Sequence, residues 1–356
     1  MSETQQFVSA AEAVGPFFVG IDLGGNSIKV GVVDDLGRQL SWLAIPTEIP
    51  RGPEDAAKRM GAAVGEAIRR AGLQPSAIGG VGLGSPGTMD LAAGRLIKPV
   101  NLKGWEDFPI RDRVACHCGF PVSFANDADA AAYGEFWVGS GRDFHSLVLF
   151  TLGTGIGCGI VLGESCLSGA HCHGGECGHI VIDFHDDARL CGCGQRGHLE
   201  AYASALAVVE RTRESLAAGR ASALTGRLAA GEDLTPKLLA GAAEAGDELA
   251  LEIILETAAY LGIGVVNLMH TVDPSGVLLG GAMTFGGHES ALGRRFLARV
   301  QEEVRRRAFP TLAQRTTIDF AVLGADAGFI GAAGLARLEH RKVPSPCNSS
   351  TPPRSG

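Results

Sequence analysis

Apolar residues fall in short blocks along this chain, and most blocks run into a glycine turn. The first, FFVGI at 17–21, has the continuous apolar character of a buried strand. DLGGNS at 22–27 reads as a glycine turn, IKVGVV at 28–33 as the returning strand, and DDLG at 34–37 as a second turn. The layout recurs in LVLFTLGTGIGCGIVL at 147–162: an apolar strand, the turn TLGTG, and a second strand broken by Gly157 and Gly159. Two such turns face each other if two similar domains join across a cleft. Their backbone N–H groups can approach phosphates closely, and Asp22 at a strand end can hold a magnesium ion through water. An ordinary hairpin explains either turn alone; the repeat moves the reading toward a nucleotide held between two halves.

Between the hairpins, residues 53–72 carry a helical amphipathic pattern ended by Gly72. IGGVGL at 78–83 is a strand running into the rigid turn GSPGTMD at 84–90, and NLKGW at 101–105 sets the amide of Asn101 beside an aromatic ring. A short strand at 122–124 precedes Asn126-Asp127, which opens a small-residue helix at 128–136. A carboxylate at that junction is ordinarily an N-cap. It is also where α/β proteins place catalytic groups, at the carboxyl ends of strands. Further on, the pattern predicts a helix at 199–216, a helical excursion at 218–236, long helices at 237–270, and a strand at 276–282 whose Gly280-Gly281 turn is placed for an adenine or ribose. A charged helix at 296–309, a strand at 318–323 and a helix at 326–339 complete the fold. Residues 1–15 read as a loose polar tail, and the proline- and serine-rich stretch from 341 on as a disordered one.

A length of 356 residues exceeds one ordinary core and implies two domains. The net charge of -8, with no basic stripe, argues against a nucleic-acid surface. No uninterrupted apolar run reaches the length of a membrane span, and the first twenty residues have no basic leader. An odd nine cysteines fit a reducing cytosol better than a disulfide framework. Six of the nine lie between Cys158 and Cys193, which points to a metal or a buried cluster, whereas Cys116 and Cys118 read as bystanders in a loop.

The densest chemistry lies at 173–200. His179, Cys191, Cys193 and His198 form a Cys2His2 set suited to tetrahedral zinc, although His171, Cys172, His173, Cys177 and His185 are also within reach. Glu176 and Glu200 bracket the set, so a metal fixing this knot fixes both acids for a small polar ligand. A purely structural zinc with two solvated glutamates is the competing reading.

In order, these segments resemble the motifs of the ROK group (repressors, open reading frames, sugar kinases), specifically its bacterial glucokinase-like members, over roughly residues 17–338. The DxGGT turn resembles 22–26, the GxPG turn 84–87, and the asparagine-aspartate pair Asn126-Asp127. LGTGIGxG resembles 152–159, ExGH 176–179, and CGCGxxGxxE 191–200. The resemblance implies an α/β fold of two ribonuclease H-like domains, of the actin/hexokinase type, around a central cleft, with a zinc-binding loop. The small domain would comprise 16–127 plus 325–340 and the large one 128–324. It implies ATP-dependent phosphorylation of a hexose at the 6-hydroxyl in the cytoplasm, with glucose expected and N-acetylhexosamine, mannose or fructose as alternatives, by a homodimer.

Asp127 would be the general base, with Asn126, Glu176, His179, Glu200 and Asn101 on the other sugar hydroxyls. His179 would place one ring nitrogen on zinc and the other on the sugar. ATP and Mg2+ would meet Asp22, Gly24, Gly25, Asn26, Ser27 and Lys29, then Gly153, Thr154 and Gly155, then Gly280 and Gly281. Three departures stand out: Asn26 replaces a threonine, His198 replaces a third cysteine across a longer loop, and Ala282 replaces a glycine. A sugar-responsive transcriptional regulator of the same group would need a DNA-binding domain, for which the roughly fifteen residues before the first hairpin are too few. A non-catalytic sugar-binding protein would tolerate loss of the base, yet Asp127 is present.

Overall fold

The computed structural model describes residues 7–99 and 101–342. Phe17–Leu23 (β1) and Ser27–Val33 (β2) pair antiparallel, and Gln39–Pro46 (β3) adds to β2. Pro53–Arg70 (α1) has proline in its first turn, acids at its start and arginines at its end, the arrangement that suits the helix dipole. It buries Met60, Val64 and Ile68. Ile78–Ser85 (β4) runs parallel to β1. The small hairpin of Thr88–Asp90 (β5) and Arg95–Lys98 (β6) follows, then Ile110–Cys118 (α2). Val122–Asn126 (β7) pairs parallel with β4 and leads directly into Asp127–Trp137 (α3).

The second half starts with the antiparallel pair Ser146–Leu152 (β8) and Ile156–Leu162 (β9), extended by Ser165–Cys166 (β10). Helices Glu200–Ala203 (α4), Ala205–Ala217 (α5), Leu224–Ala229 (α6), Pro236–Glu244 (α7) and Glu248–Val272 (α8) come next. Gly276–Gly281 (β11) pairs parallel with β8. After Ala291–Arg307 (α9) and Pro310–Arg315 (α10), Thr317–Phe320 (β12) pairs parallel with β11, and Ala327–Lys342 (α11) ends the described chain.

The sheets are ordered β3-β2-β1-β4-β7 and β10-β9-β8-β11-β12. Counting only the strands of each sheet in chain order, each places its third strand at one edge, followed by the second, first, fourth and fifth. The repeat seen in the two hairpins extends through a whole sheet. Each half has its own apolar core, one around β1, β2, α1 and Trp105, the other around β8, β11, α8 and α9.

Two helices join the halves. α11 follows the second sheet but lies on β1 and β4 of the first, while α3 follows the first sheet but lies on β8 and β9 of the second; the two helices pack on each other. Small residues permit this. A Cβ at Gly20 would strike the Phe329 carbonyl, one at Gly82 the Ala332 carbonyl, and one at Gly331 the Ala130 carbonyl.

Several expectations need correction. Strand β3, the β5–β6 hairpin and α2 lack a strong periodic signature and go unpredicted. Cys116 and Cys118 lie on α2 rather than in a loop, and His117 between them has Nε2 2.8 Å from Glu54 Oε1. The helix expected at 199–216 breaks at Ser204, whose hydroxyl accepts from Ala207 N–H and caps α5. The polar tail is tied down from Val8 on: Val8 N donates to Gln39 O at 2.9 Å and Val14 N to Asp34 Oδ2 at 3.1 Å. The disordered tail expected from 341 starts later than expected, since Arg341 and Lys342 are the last residues of α11; residues 1–6 and 343–356 lie outside the described residues. α8 is long and apolar enough to cross a bilayer, but 61% of its apolar window is buried inside the protein, so it is a core helix.

Candidate functional site

The carboxyl ends of β1, β7, β8, β11 and β12 converge where α3 and α11 begin, and two cavities open there. The first, about 500 Å3, is lined by Asn101, Asn126, Asp127, Asp129, Glu176, His179 and Glu200, by the β8–β9 turn from Thr151 to Cys158, and by Thr88 and Met89 of β5. The second, about 640 Å3, is lined by Asp22, Lys29, Asp127, Thr151, Gly280 and Gly281, by Thr284 and Gly286 to Glu289, and by Ala327 and Gly328 at the start of α11. Asp127, Ala128, Thr151 and Gly281 belong to both. Asp127 is thus the acid at their boundary.

The start of α3 explains how that acid is held. Asn126 is the N-cap, its Oδ1 accepting from Ala128 N at 2.8 Å, and Asp127 Oδ1 accepts from the same N–H at 2.9 Å. Burial pushes the Asp127 carboxyl up to about 6, with the negative charges of Asp22 and, more weakly, Glu176 acting in the same direction. Asp22 is also raised by burial, against the pull of Lys29, whose Nζ is 3.9 Å from its Oδ2. Lys29 Nζ also donates to the Ala325 carbonyl at 2.6 Å. A carboxyl near 6 is ionised at neutral pH and still basic enough to take a proton, the requirement for a general base.

On the opposite wall, the knot at 176–200 is closed by backbone bonds: Leu199 N to Ile180 O at 3.0 Å, Ile182 N to Gly197 O at 2.8 Å and Cys191 N to Gln195 O at 2.8 Å. Gly197 has φ +79° and no room for a Cβ against the Asp183 carbonyl, so the turn needs glycine. This fold brings His179, Cys191, Cys193 and His198 together with one ligand atom of each within 4.8 Å of the others. His179 Nδ1 is 3.3 Å from His198 Nδ1 and 3.7 Å from Cys191 Sγ, and Cys193 Sγ is 3.2 Å from His198 Nδ1. Ligands placed about 2.0–2.3 Å from a tetrahedral ion are about 3.3–3.8 Å apart, so the residues fit zinc. Burial, with His179 beside it, lowers the His198 pKa, a shift toward the neutral form that a metal needs. His171, Cys172, His173, Cys177 and His185 stand outside this cluster.

The cluster connects to the cavity at both ends. His179 turns Nδ1 to the other ligands and has Nε2 4.0 Å from Glu176 Oε2. Glu200 Oε2 accepts from Ile156 N at 2.8 Å, which ties the knot to the β8–β9 turn.

Of the residues expected on nucleotide, Asp22, Lys29, Gly280 and Gly281 line the second cavity, whereas Gly153, Thr154 and Gly155 line the first. Gly24, Gly25, Asn26 and Ser27 line neither; their turn is closed by Gly24 N to Ser27 O at 3.0 Å and braced by Thr47, with a Cβ position at Gly25 3.7 Å from the Asn101 carbonyl. Asp129, Cys158, Thr88 and the 284–289 loop go unpredicted. The carboxylate of Asp129 was visible in sequence, but an acid in a first helical turn reads as an ordinary dipole partner.

Comparison with known proteins places the chain in a family. The ROK family model matches residues 18–339. A glucokinase from Halalkalibacterium halodurans is 32% identical over 327 residues, 92% of this chain and 97% of its own length. A putative xylose repressor from a Caldicellulosiruptor species is 31% identical over 89% of this chain and 77% of its own length. A ROK family glucokinase from Streptomyces griseus, solved with glucose and AMPPNP, superposes with TM-score 0.72 and 32% identity over 90% of this chain and 99% of its own. The duplicated α/β sheets, their crossed helices and this match over nearly the full described length identify the chain as a member of the ROK family.

Proposed function

We propose that the protein is an ATP-dependent hexose kinase, with glucose phosphorylated at its 6-hydroxyl. The observation that carries this reading is the position of Asp127, shared between a carboxylate-rich cavity of sugar size and a second cavity rimmed by the strand-end glycines. A hexose in the first cavity presents a hydroxyl to Asp127, and a nucleotide in the second presents its γ-phosphoryl group from the other side. The sugar oxygen bonds to phosphorus as the bond to the β–γ bridging oxygen breaks, and the hydroxyl proton passes to the Asp127 carboxylate. Alignment of the oxygen with the phosphorus supplies most of the acceleration.

The remaining residues have supporting roles. Glu176, His179, Glu200, Asn126 and Asn101 accept from or donate to the other hydroxyls and fix the ring. Lys29 and the glycines at 24–25, 153–155 and 280–281, with Asn26, Ser27 and Thr154, serve the nucleotide once the halves close. Asp22 is the residue suited to hold Mg2+ through water, an ion that neutralises phosphate charge when bound. His179, Cys191, Cys193 and His198 would hold zinc, which ties the two sugar-facing glutamates to one rigid knot. Related proteins include both a glucokinase and a putative xylose repressor, so sugar binding without chemistry is the competing outcome.

A coupled assay of ADP release over glucose, mannose, fructose and the N-acetylhexosamines decides the matter. Glucose-dependent ADP release with glucose as the best of the panel is expected. Sugar binding by calorimetry with no ADP release from any hexose would overturn the kinase reading.

A further inference from the structure

A third cavity, about 800 Å3, lies at the other end of α3 from Asp127 and has no part in the kinase reading. One wall comes from the first half: Val8 and the β2–β3 turn from Leu36 to Gln39. The other comes from the second: Trp137 and Val138 at the end of α3, then Arg142, and Leu323 between β12 and α11. The walls touch at Gly37, which has φ +77° and where a Cβ would lie 2.4 Å from Val138 Cγ1. A molecule that fills this cavity therefore bears on both halves at once.

The lining narrows the ligand. Phe7 and Leu36 are 46% and 54% exposed, and they line the cavity together with Trp137 and Val138. Apolar side chains exposed singly mean little, but several around one cavity form the patch that an apolar ligand covers. Two arginines line it as well. Arg38 is committed: its Nε and Nη2 reach Asp34 Oδ2 at 2.9 and 2.6 Å, and Nη2 also donates to the Glu12 carbonyl at 2.9 Å. Arg142 is not, since its one ion pair among the described residues is with Asp143 at 3.6 Å, between mostly exposed side chains. The one acid of the lining, Glu12, accepts from the Ser9 hydroxyl at 2.7 Å. An anionic group completes Arg142, and an apolar body covers Phe7 and Leu36.

One buried carboxylate joins this cavity to the second. Glu135 accepts from Leu323 N at 2.7 Å through Oε1 and from Ser140 N at 3.0 Å through Oε2. It thus holds both Leu323 and the stretch that carries Arg142. Glu135 itself lines the second cavity, as do Val322 and Gly324 on either side of Leu323, and none of these residues lines the first. We propose that the third cavity is an effector site for a small anion with an apolar body, whose binding changes the affinity for nucleotide and leaves that for sugar nearly unchanged. The coupling to nucleotide rests on the kinase reading above; the binding itself does not.

The probe is 8-anilinonaphthalene-1-sulfonate, an aromatic sulfonate that fluoresces when its rings leave water, titrated into the full chain. One saturable site per chain is expected. Leu36→Asp should weaken it about tenfold or more and Arg142→Gln about threefold or more, and since both side chains are exposed the fold is kept. Calorimetry with a non-hydrolysable ATP analogue at saturating probe should give an affinity changed about fivefold or more, with glucose affinity kept within about twofold. By linkage the analogue changes the affinity for the probe by the same factor. In Leu36→Asp the effect on nucleotide should vanish at the same probe concentration. Absence of a saturable site, equal binding by the wild type and both variants, or a nucleotide affinity that the probe leaves unchanged overturns the proposal while the kinase reading stands. Coupling that persists in full in Leu36→Asp means that the probe competes in the nucleotide's own cavity, and overturns it too. A chain that binds no nucleotide overturns the coupling and the kinase reading together.

Discussion

Helices α3 and α11 occupy equivalent places in the two halves. Each follows the fifth strand of its sheet and crosses to lie on the sheet of the other half. Their first turns have diverged. α3 begins Asp127-Ala128-Asp129, with acids that face the cavities. α11 begins Ala327-Gly328, and a Cβ at Gly328 would lie 2.6 Å from Cγ of Asp22. One helix start therefore supplies a carboxylate, and the other makes room for a carboxylate from the opposite sheet. Both acids then border the second cavity. A duplicated scaffold gives two similar strand ends, and the chemistry comes from making them unequal.

The largest expected effect comes from removing the acid of α3. Asp127→Ala should lower kcat by on the order of 10² to 10⁴ while sugar affinity by calorimetry changes only a few-fold. The wild-type pH profile gives the same group away: kcat/KM should fall as pH drops through about 6, where Asp127 protonates. Its folded pKa lies above the unfolded value of 3.8, so its contribution to stability is present at low pH and lost as pH rises through about 6. Asp127→Asn should therefore raise Tm more at pH 8 than at pH 4. A flat activity profile between pH 5 and 8 would remove Asp127 from the base role.

The duplication beneath this asymmetry is legible in the sequence. The hairpins at 17–33 and 147–162 repeat an unmistakable strand, glycine turn and strand, and the Cys/His set converges as its spacing suggested. The exchange of α3 and α11 was not legible, because a helix rich in alanine and glycine carries no mark of which sheet it will cover. β3 and α2 were missed for a related reason. Their apolar residues pack on α1 and the first core without a clean period of two or of 3.6. Asp129 stayed hidden because sequence shows an acid's position and not its missing partner.

A second difference concerns the hairpins themselves. The β8–β9 turn is fastened to the Cys/His knot through Glu200 and Ile156, whereas the β1–β2 turn has no such anchor and leans on Thr47. Removing the metal should therefore act first on the sugar-facing Glu176, His179 and Glu200, and on the β8–β9 turn only through Glu200. Elemental analysis should find one zinc per chain, and chelation or Cys193→Ser should raise KM for sugar on the order of tenfold or more, with KM for ATP changed less. Equal changes in both constants would mean the two turns share their support. An absence of tightly held metal would remove the anchor.

The pairing of the crossed helices can be strained directly. Gly331 on α11 lies against the Ala130 carbonyl of α3, and both are buried. Gly331→Ala should force the helices apart and destabilise the protein by about 1–3 kcal/mol, read as a fall in the denaturant midpoint. Since α3 carries Asp127, a fall in kcat beyond the loss of folded protein would show that the helix crossing also sets the position of the base.

The smallest effect is expected at the unanchored turn. Thr47 is fully buried; its Oγ1 donates to the Gly24 carbonyl at 2.6 Å and its N–H to the Asn26 carbonyl at 3.0 Å. Thr47→Val keeps the volume and the backbone bond and removes only the hydroxyl, a loss of about 0.5–1.5 kcal/mol. The freed Gly24 carbonyl should loosen the turn that closes on the phosphates, raising KM for ATP a few-fold with KM for sugar unchanged. That is the mirror image of the effect expected from metal removal. If Thr47→Val instead shifts the sugar constant, the β1–β2 turn serves the first cavity, which is where its approach to Asn101 would then have to be reinterpreted as sugar binding.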